Sequence, residues 1–473
     1  MEAQPPPSKI GHDKDRIGAL PDELLLEIIE RLSLRDAVRA GGVSTRWRHL
    51  PHQLARVDLD VARDFQGATT PPETTMDMFD RVVCSLLSAC PPAESKCDCF
   101  KTRRAVNSIR LHFYSSAPHL GSIGRAVEDT VSRGGTREFD FKLIPLPSDL
   151  VADRRTKMGK KFMSFYHACP SAFRLLTALS LTKLEFGESD LRSLLGTCDN
   201  VKRLSFISCS LVGHSVLKID VPKSAVQELE FMRVRCRRIE LVSVPKLTRL
   251  LCYCWRSKNH PLSFGDVPQL LTVELTSREK VWQRPFALSE CFSMNARSLL
   301  SKLKLNFGSQ MIWIQPEHPK QLTFIFRNLT DVAFRCIFPE CDLSWTLFIL
   351  EASPALQIFK LTRARHSCVK TTKDSAEKTN VVWEPSKDLK HLNLKMLIMK
   401  GFEAEDKVTN YIRLVMERAV GLKRIMLQGI NCDACYKVDL KSPKRFQEDK
   451  ASRRRVMERL TSEPSSPAEI IIC

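Results

Sequence analysis

A short apolar pattern recurs through most of this 473-residue chain and limits its fold more than any other feature. An apolar residue, replaced once by threonine, is followed after two positions by apolar-x-apolar, which is typical of a short strand with alternate side chains pointing inward. The copies start at Val106, Thr136, Leu176, Val201, Val226, Leu247, Leu270, Leu300, Leu329, Leu356, Leu389 and Leu422. They lie 21 to 25 residues apart between Leu179 and Leu275 and 27 to 40 apart elsewhere. This period predicts an α/β solenoid in which successive strands stack as a parallel sheet.

Two further features agree with a solenoid. Val-Pro pairs recur at intervals of 23 residues, starting at Val221, Val244 and Val267, each just before the next strand. Proline fixes φ and removes a backbone donor, so it suits a connection between strands. Ser189 can cap an apolar helix between two strands. The alternative is an unrelated mixed α/β domain with many parallel strands.

Near the N-terminus the period of the apolar residues changes from that of a strand to that of a helix. Leu24, Ile28 and Leu32 repeat at i, i+4 and i+8, which gives a helix with one apolar face. Leu20-Pro21 opens this helix and places proline at the first helical position, where its missing N–H costs nothing.

Two more short helices are predicted after this one. Ser33 is placed to cap the second, which ends at the glycine pair 41–42. Ser44 can cap a third helix, which carries Trp47 and stops at Pro51. Three helices in so few residues cannot bury all their apolar surface among themselves, so the module needs a partner or an attached domain.

These residues resemble known families. Leu-Pro at 20–21, the helical stripe and Val-Ser-Thr-Arg-Trp-Arg at 43–48 resemble an F-box, over residues 16–51. Leu204 to Leu211 matches the L-x-L-x-x-C-x-L pattern of leucine-rich repeats, and residues 105–430 resemble the irregular repeats of F-box proteins abundant in land plants. The order strand, Gly401-Phe402, helix, strand near the C-terminus resembles the FBD-type segment of the same plant family.

The resemblance implies a non-catalytic subunit of a ubiquitin ligase of the SCF type, without cofactor or metal. Its F-box would dock on a Skp-type adaptor, and through it on a cullin, while the repeats hold a protein substrate. The implied adaptor-binding residues are Leu20, Pro21, Leu24, Ile28, Leu32, Val43 and Trp47. The substrate is expected on the concave face, at the strand positions between the inward residues: Arg110, Asp140, Ser180, Ser205, Glu230, Leu251, Glu274, Lys304 and Lys360, with Ala333 among them. We expect Glu230 and Glu274 to tune partner binding without affecting stability.

The domain organisation follows from these patterns. The predicted segments are a disordered start (1–15), an F-box (16–55), a linker with a helix that caps the first strand edge (56–104), leucine-rich repeats (105–380), an FBD-like segment (381–438) and a basic disordered tail (439–473). A polar loop is expected at 366–380. The sequence defines the strand register near residues 389–400 only to within two residues.

The formal net charge of +19 leaves alternatives open. It could attract nucleic acid, but no aromatic residues interleave with the basic runs as a stacking platform would require. Two alternative hypotheses therefore remain. The chain could be a basic repeat protein that binds nucleic acid, or a scaffold whose F-box no longer engages an adaptor. The mixed charges expected on the concave face favour a protein partner over a phosphate track.

The remaining patterns argue against other classes of protein. We find no signal peptide, no apolar run of membrane length and no phosphate-binding or hydrolase motif. The 17 cysteines favour reduced thiols inside a cell, with nucleus or cytoplasm as the expected location. Cys97 with Cys99, and Cys432 with Cys435, are the closest approach to metal-ligand pairs, but neither has a second pair at zinc-site spacing.

Overall fold

The computed structural model describes residues 17, 19–42, 47, 50–65, 70–87, 105–115, 117–144, 154–255, 260–277, 285–292, 299–309, 311–363, 381, 383–429, 450–461 and 467–473. The chain forms two compact units, which divide after Phe141. The predicted segments 1–15 and 366–380 lie outside the described residues.

The first unit begins with the small helical module. Helix α1 spans Asp22–Glu30 and helix α2 spans Leu34–Gly41. Pro21 is the N-cap of α1, one position before the predicted one. Ser33 caps α2 as predicted: its Oγ accepts a hydrogen bond from the Asp36 amide at 3.2 Å and donates one to the Asp36 carboxylate at 2.7 Å.

The third helix of the module is only partly described. Residues 43–46, 48 and 49 lie outside the described part, so the predicted cap at Ser44 is untested. A 3-10 helix spans Leu50–Gln53. The predicted stop of the third helix at Pro51 is untested, and Pro51 itself lies in this 3-10 helix, whose first turn does not need the amide donor that proline lacks.

The rest of the first unit consists of parallel strands joined by helices. They are β1 (Arg56–Asp60), α3 (Pro72–Leu87), β2 (Ser108–Tyr114), α4 (Ala117–Ser132) and β3 (Glu138–Ile144). A π-helical turn at Val61–Phe65 follows β1. Strand β1 pairs in parallel with β2 in full register.

The predicted capping role of α3 is wrong, although the helix itself is confirmed. Strand β1, which was assigned to a linker, is the edge strand, and α3 connects it to β2. Helix α3 packs against α4 and β2. Phe79 of α3 stacks on Phe113 of β2 at 5.8 Å between ring centroids, and Phe113 meets Phe141 of β3 edge-on at 5.7 Å. The helix therefore forms part of the aromatic core of the unit.

The second unit contains many more short strands. In chain order they are β4 (Ala178–Thr182), β5 (Glu185–Phe186), β6 (Arg203–Ile207), β7 (Ser210–Leu211), β8 (Leu217–Asp220), β9 (Glu228–Met232), β10 (Ile239–Ser243), β11 (Arg249–Tyr253), β12 (Leu262–Asp266), β13 (Thr272–Thr276), β14 (Phe286–Ala287), β15 (Lys302–Asn306), β16 (Ile314–Gln315), β17 (Asp331–Ile337), β18 (Ile358–Arg363), β19 (Met396–Lys400), β20 (Arg424–Gln428) and β21 (Glu469–Ile472). The helices are α5 (Arg154–Ala168), α6 (Pro170–Leu175), α7 (Glu188–Thr197), α8 (Leu288–Cys291), α9 (Pro319–Phe326), α10 (Leu347–Ala352), α11 (Asp406–Arg418) and α12 (Lys450–Thr461).

One large parallel sheet organises this unit. Its strands follow the order β4-β6-β9-β11-β13-β15-β17-β18-β19-β20-β21. Leu179, Leu204, Leu229 and Leu250 are paired in one buried row, and the same alternation continues along the sheet. The expected α/β repeat fold with a parallel sheet is therefore confirmed.

The Val-Pro pairs mark the ends of a second, smaller sheet. Strands β8, β10 and β12 pair in parallel, and each ends directly before Val221, Val244 or Val267. The prolines thus stand in connections, as predicted. Helix α7 is also confirmed, but its N-cap is Gly187 and not Ser189; the Gly187 amide donates to the Asp190 carboxylate at 3.1 Å.

The strand predicted at residues 389–394 is misplaced. The strand is β19, and Leu392 is strongly exposed. His391 explains the difference: its Nδ1 accepts from the Leu394 amide at 3.0 Å and its Nε2 bonds to the Ser353 carbonyl at 2.9 Å. The His391 amide donates to the Arg418 carbonyl at 2.7 Å. These bonds turn the chain, so the strand begins only at Met396.

The prediction of a disordered tail over 439–473 is also wrong for part of that segment. Helix α12 buries Val456 and Leu460 and packs on α11. Strand β21 adds to the sheet beside β20, with Glu469 opposite Arg424. Basic composition suggested a solvated tail, but the Ile470–Ile472 run supplies enough apolar surface to order the strand. Among the described residues, no helix is long and apolar enough to cross a membrane.

Gly401, directly after β19, allows a close approach that no other residue can make. Its φ is +70°, and a Cβ there would collide with the carbonyl oxygen of Arg363. Gly213 has nearly the same φ, +71°, but open space around it. We expect Gly213→Ala to lower the free energy of unfolding by about 1 kcal/mol and Gly401→Ala by about 2 to 4 kcal/mol. Urea unfolding followed by circular dichroism measures both. Equal losses would show that the contact with Arg363 does not matter.

His391 should make stability depend on pH. Burial lowers the pKa of its imidazole below the ordinary value, and the bond to the Ser353 carbonyl offsets this only in part. The unfolded chain, with a histidine pKa near about 6.5, therefore binds more protons than the folded one as the pH drops below that value. Stability should be full above about pH 6.5 and fall below it, by at most about 1.4 kcal/mol per pH unit. Melting between pH 7.5 and 5.5 should show a weaker pH dependence in His391→Gln than in the parent. The exposed control His167→Gln should keep the parental slope, and a parental slope in His391→Gln would contradict the assignment.

Candidate interaction surfaces

Helix α1 divides its apolar residues between two faces. Leu25 and Ile29 are fully buried, whereas Leu24 and Ile28 are 47% and 40% exposed, and Leu32, two residues past the end of the helix, is 42% exposed. The predicted stripe therefore faces solvent, and the residues next to it in sequence hold the module together. Exposed leucine and isoleucine aligned along one helix are typical of a surface that another protein covers.

The other predicted adaptor contacts vary in their accessibility. Pro21 is exposed and Leu20 is half-buried, and both lie at the start of the same helix. Trp47 is half-buried. Val43 lies outside the described residues. The structure thus brings Leu20 and Pro21 together with the α1 stripe and leaves Val43 untested.

Val38 is a candidate contact that the sequence did not single out. This residue on α2 is 40% exposed and lines a groove of about 360 Å³ together with Gly42, Pro51 and Val82. All four residues belong to the first unit. Little in the sequence marked Val38, because it stands beside Ala37 and one turn after Leu34 on the same helix.

A second surface is the face of the large sheet opposite its buried rows, here called the open face. Its central row is fully in register from β4 to β21. The paired residues are Ser180, Ser205, Glu230, Leu251, Glu274, Lys304, Ala333, Lys360, Ile398, Met426 and Ile471. Every predicted substrate contact of the second unit lies in this row.

The equivalent predicted residues of the first unit form an ion-paired row of their own. Arg110 on β2 contacts the Asp58 carboxylate at 3.0 Å and the Asp140 carboxylate at 3.5 Å. Asp58 also pairs with Arg63 at 3.1 Å. Asp58 was missed because β1 was not recognised as a strand. With two carboxylates already in contact, Arg110 is less available to a ligand than its position suggested.

Glu274 is not the exposed residue that the sequence predicted. It is 8% exposed, and its carboxylate lies 3.5 Å from both the Lys304 Nζ and the Arg335 Nη1. Burial raises the pKa of Tyr253 to about 12, and the negative charge of Glu274 and a hydrogen bond to it act in the same direction. The burial of Glu274 contradicts its expected exposure, and because two cations share its carboxylate we now expect its substitution to lower stability.

Glu230 fits the original expectation better. Its side chain is half-buried and accepts a hydrogen bond from the Ser205 Oγ at 2.8 Å. Leu251, between Glu230 and Glu274, is almost fully buried by its neighbours. The centre of the open face is thus a packed polar surface and not a row of free side chains.

The part of the open face formed by β18 to β21 was not recognised in the sequence. Ile398, Met426 and Ile471 extend the central row, and Ile358 pairs with Met396 in the row beside it. All five side chains are half-buried. Met396 and Ile398 were missed because β19 was placed too early, and Ile471 because β21 was assigned to a disordered tail. The strands of Ile358 and Met426 were predicted, but these two residues were not singled out.

The described residues contain no group of three or more histidine, cysteine or acidic side chains that could hold a metal ion. The Cys97, Cys99, Cys432 and Cys435 pairs lie outside the described residues. Of the described cysteines, Cys291 is fully buried, and burial raises the pKa of its thiol to about 12. Such a thiol stays protonated and is a poor nucleophile.

Comparisons with known families match both parts of the chain. Residues 164–459 match the family model described as At1g61320/AtMIF1, LRR domain. Residues 17–54 match the F-box-like family. The two models thus cover the large sheet of the second unit from β4 to β20 and the helical module of the first unit.

Several proteins of Arabidopsis thaliana are similar to this chain. F-box/FBD/LRR-repeat protein At3g49030 is 22% identical over 88% of this chain and 90% of its own length. F-box/FBD/LRR-repeat protein At1g51370 is 44% identical, but over only 11% of this chain and 12% of its own length. F-box/LRR-repeat protein At2g42720 is 27% identical over 28% of this chain and 29% of its own length. A solved leucine-rich repeat-containing protein, LegL7 from Legionella pneumophila, covers 88% of this chain and 99% of its own length at 10% identity, with a TM-score of 0.24.

Glu274→Lys should destabilise the second unit. The substitution would place three cations together in a nearly buried position and leave Lys304 and Arg335 without their shared carboxylate. Because both cations are partly exposed, we expect a loss of about 1 to 3 kcal/mol, below the range for a fully buried pair. Glu230→Lys is the matched control and should cost less than about 1 kcal/mol. Urea unfolding of both variants tests this; equal effects would show that the ion pairs of Glu274 contribute nothing.

Proposed function

We propose, from the membership of this chain in the plant F-box/leucine-rich-repeat family, that it is the substrate-recognition subunit of a ubiquitin ligase of the SCF type. The F-box-like module would bind a Skp-type adaptor, which links it to a cullin. The open face of the repeats would hold a protein substrate. The nucleus or the cytoplasm is the proposed location.

The exposed stripe on α1 is the observation that supports this proposal most. Leu25 and Ile29 already supply the buried contacts of the helix, so Leu24, Ile28 and Leu32 are not needed to close the module. Burying an aliphatic side chain contributes roughly 1.5 to 3 kcal/mol. Three such side chains in one row can therefore supply much of the free energy of binding to an adaptor.

The proposed role requires no catalysis by this chain. Holding a substrate on one surface and an adaptor on another raises the effective concentration of a target lysine near the ubiquitin-charged enzyme. The polar open face supports a protein substrate over a nucleic acid, because carboxylates stand beside its cations: Glu274 lies opposite Lys304, and Asp331 lies opposite Lys302. A track for phosphates would not interpose carboxylates in this way.

The double substitution Leu24→Ala with Ile28→Ala tests the adaptor surface. Removing two apolar side chains from the centre of an interface should cost on the order of 2 to 5 kcal/mol, which is roughly a hundredfold or more in affinity. Adaptor binding is measured by surface plasmon resonance with a purified Skp-type protein, and folding by circular dichroism on the same preparation.

A matched control removes exposed aliphatic groups elsewhere. Val242→Ala with Leu271→Ala changes two residues that are 43% and 41% exposed in the second unit. This control should bind the adaptor like the parent. Parental affinity in a folded Leu24→Ala, Ile28→Ala protein would refute the assignment of the stripe and the ligase proposal with it.

A further inference from the structure

The open face of the large sheet changes character at its C-terminal end. Through β13 and β15 it carries charged and polar side chains such as Glu274, Lys302 and Lys304. Across β18 to β21 it carries the five half-buried apolar residues Ile358, Met396, Ile398, Met426 and Ile471, here called the β18–β21 patch. Parallel sheets are usually covered on both faces, and a contiguous apolar patch is typical of a surface that binds a partner.

The patch is continuous because the strands are in register. Ile398 lies between Lys360 and Met426 in the central row, and Ile471 follows Met426. Neighbouring strands lie about 4.8 Å apart, so side chains in one row touch. The row therefore forms one strip of aliphatic and thioether surface, and methionine at its centre can adapt to different apolar groups.

The charged side chains near the patch include two cations that form no ion pair within the described residues. In the described part of the chain, Lys302 and Lys400 have no carboxylate at ion-pair distance. Lys360 with Asp331, and Arg424 with Glu469, are paired at 2.6 and 3.0 Å. After these pairings two lysines are left without a carboxylate from the described residues: Lys400, which lies on β19 with Ile398, and Lys302, which lies two strands from Ile358 in the same row.

We infer that the β18–β21 patch binds a short peptide segment of a protein substrate in which apolar side chains are flanked by carboxylates. The apolar side chains cover Ile398, Met426 and Ile471, and the carboxylates meet Lys302 and Lys400. This inference rests on the proposed function for the biological role of the peptide, but the binding chemistry stands on the patch alone.

Selection from a random 12-residue peptide library displayed on phage tests the inference with the full-length chain. Recovered peptides should be enriched in both apolar residues and Asp or Glu. Synthetic copies are then titrated by fluorescence anisotropy. Ile398→Asp with Met426→Asp should weaken binding by roughly tenfold or more, since both substitutions bring a desolvated charge into the contact. Lys302→Glu with Lys400→Glu, at exposed positions that do not threaten folding, should weaken it as well, and more at low salt than at high salt.

Two control variants make matched changes away from the patch. Val212→Asp with Val242→Asp introduces the same charges at exposed valines, and Lys218→Glu with Lys246→Glu reverses two exposed lysines. Both controls should bind the selected peptides like the parent. Thermal melting of every variant shows whether a loss of binding reflects unfolding.

Several outcomes would overturn the inference. The selected peptides could be basic or lack apolar residues, or they could bind the parent and the charge-reversed variant equally. The parent could give no enrichment over the aspartate variant. Sedimentation could instead show that the parent is a dimer, which Ile398→Asp with Met426→Asp dissociates. Adaptor binding is measured separately. If the chain binds the predicted peptides but not the adaptor, only the proposed function is contradicted. If it binds the adaptor but not the predicted peptides, only this inference is contradicted.

Discussion

The in-register pairing of equivalent residues in parallel strands is the constraint on which the rest of the second unit depends. Leu204 pairs with Leu229, and Leu229 with Leu250, so every buried side chain stacks on its counterpart in the next strand. Because side chains alternate between faces, a slip of one residue would turn a whole row outward. The same register fixes the open face: Glu230, Leu251 and Glu274 are aligned because the leucines beside them are.

The sequence predicted most strands because the alternation that buries one face is local and visible. It failed where local patterns compete. Residues 389–394 show the same apolar spacing as true strands, but His391 is held by hydrogen bonds to Ser353 and Arg418, which are distant in sequence and cannot be inferred from spacing. Strands β1 and β21 were missed for another reason: both are short, and each lies in a segment that had been assigned to a linker or to a disordered tail.

The candidate surfaces were predictable in position but not in accessibility. The apolar residues of α1 were evident, yet Leu24 and Leu25 are identical in kind, and only the packing shows that one is exposed and the other buried. Glu274 shows the converse. Its place on the open face followed from the repeat, but its burial depends on Lys304 and Arg335, which come from two other strands. Accessibility is set by neighbours that are remote in sequence, which is why it could not be predicted.

The two surfaces differ in how strongly they are tied to folding. In the small helical module, the residues that hold it together and those that face solvent alternate along one nine-residue helix, α1. A module with so little core would gain stability from any protein that covered its exposed stripe. The large sheet has its own buried rows, such as that of Leu204 and Leu229, and its open face can vary without loss of the fold wherever side chains are not ion-paired. Substitutions on the open face can therefore change that surface while the stripe of the small helical module stays the same.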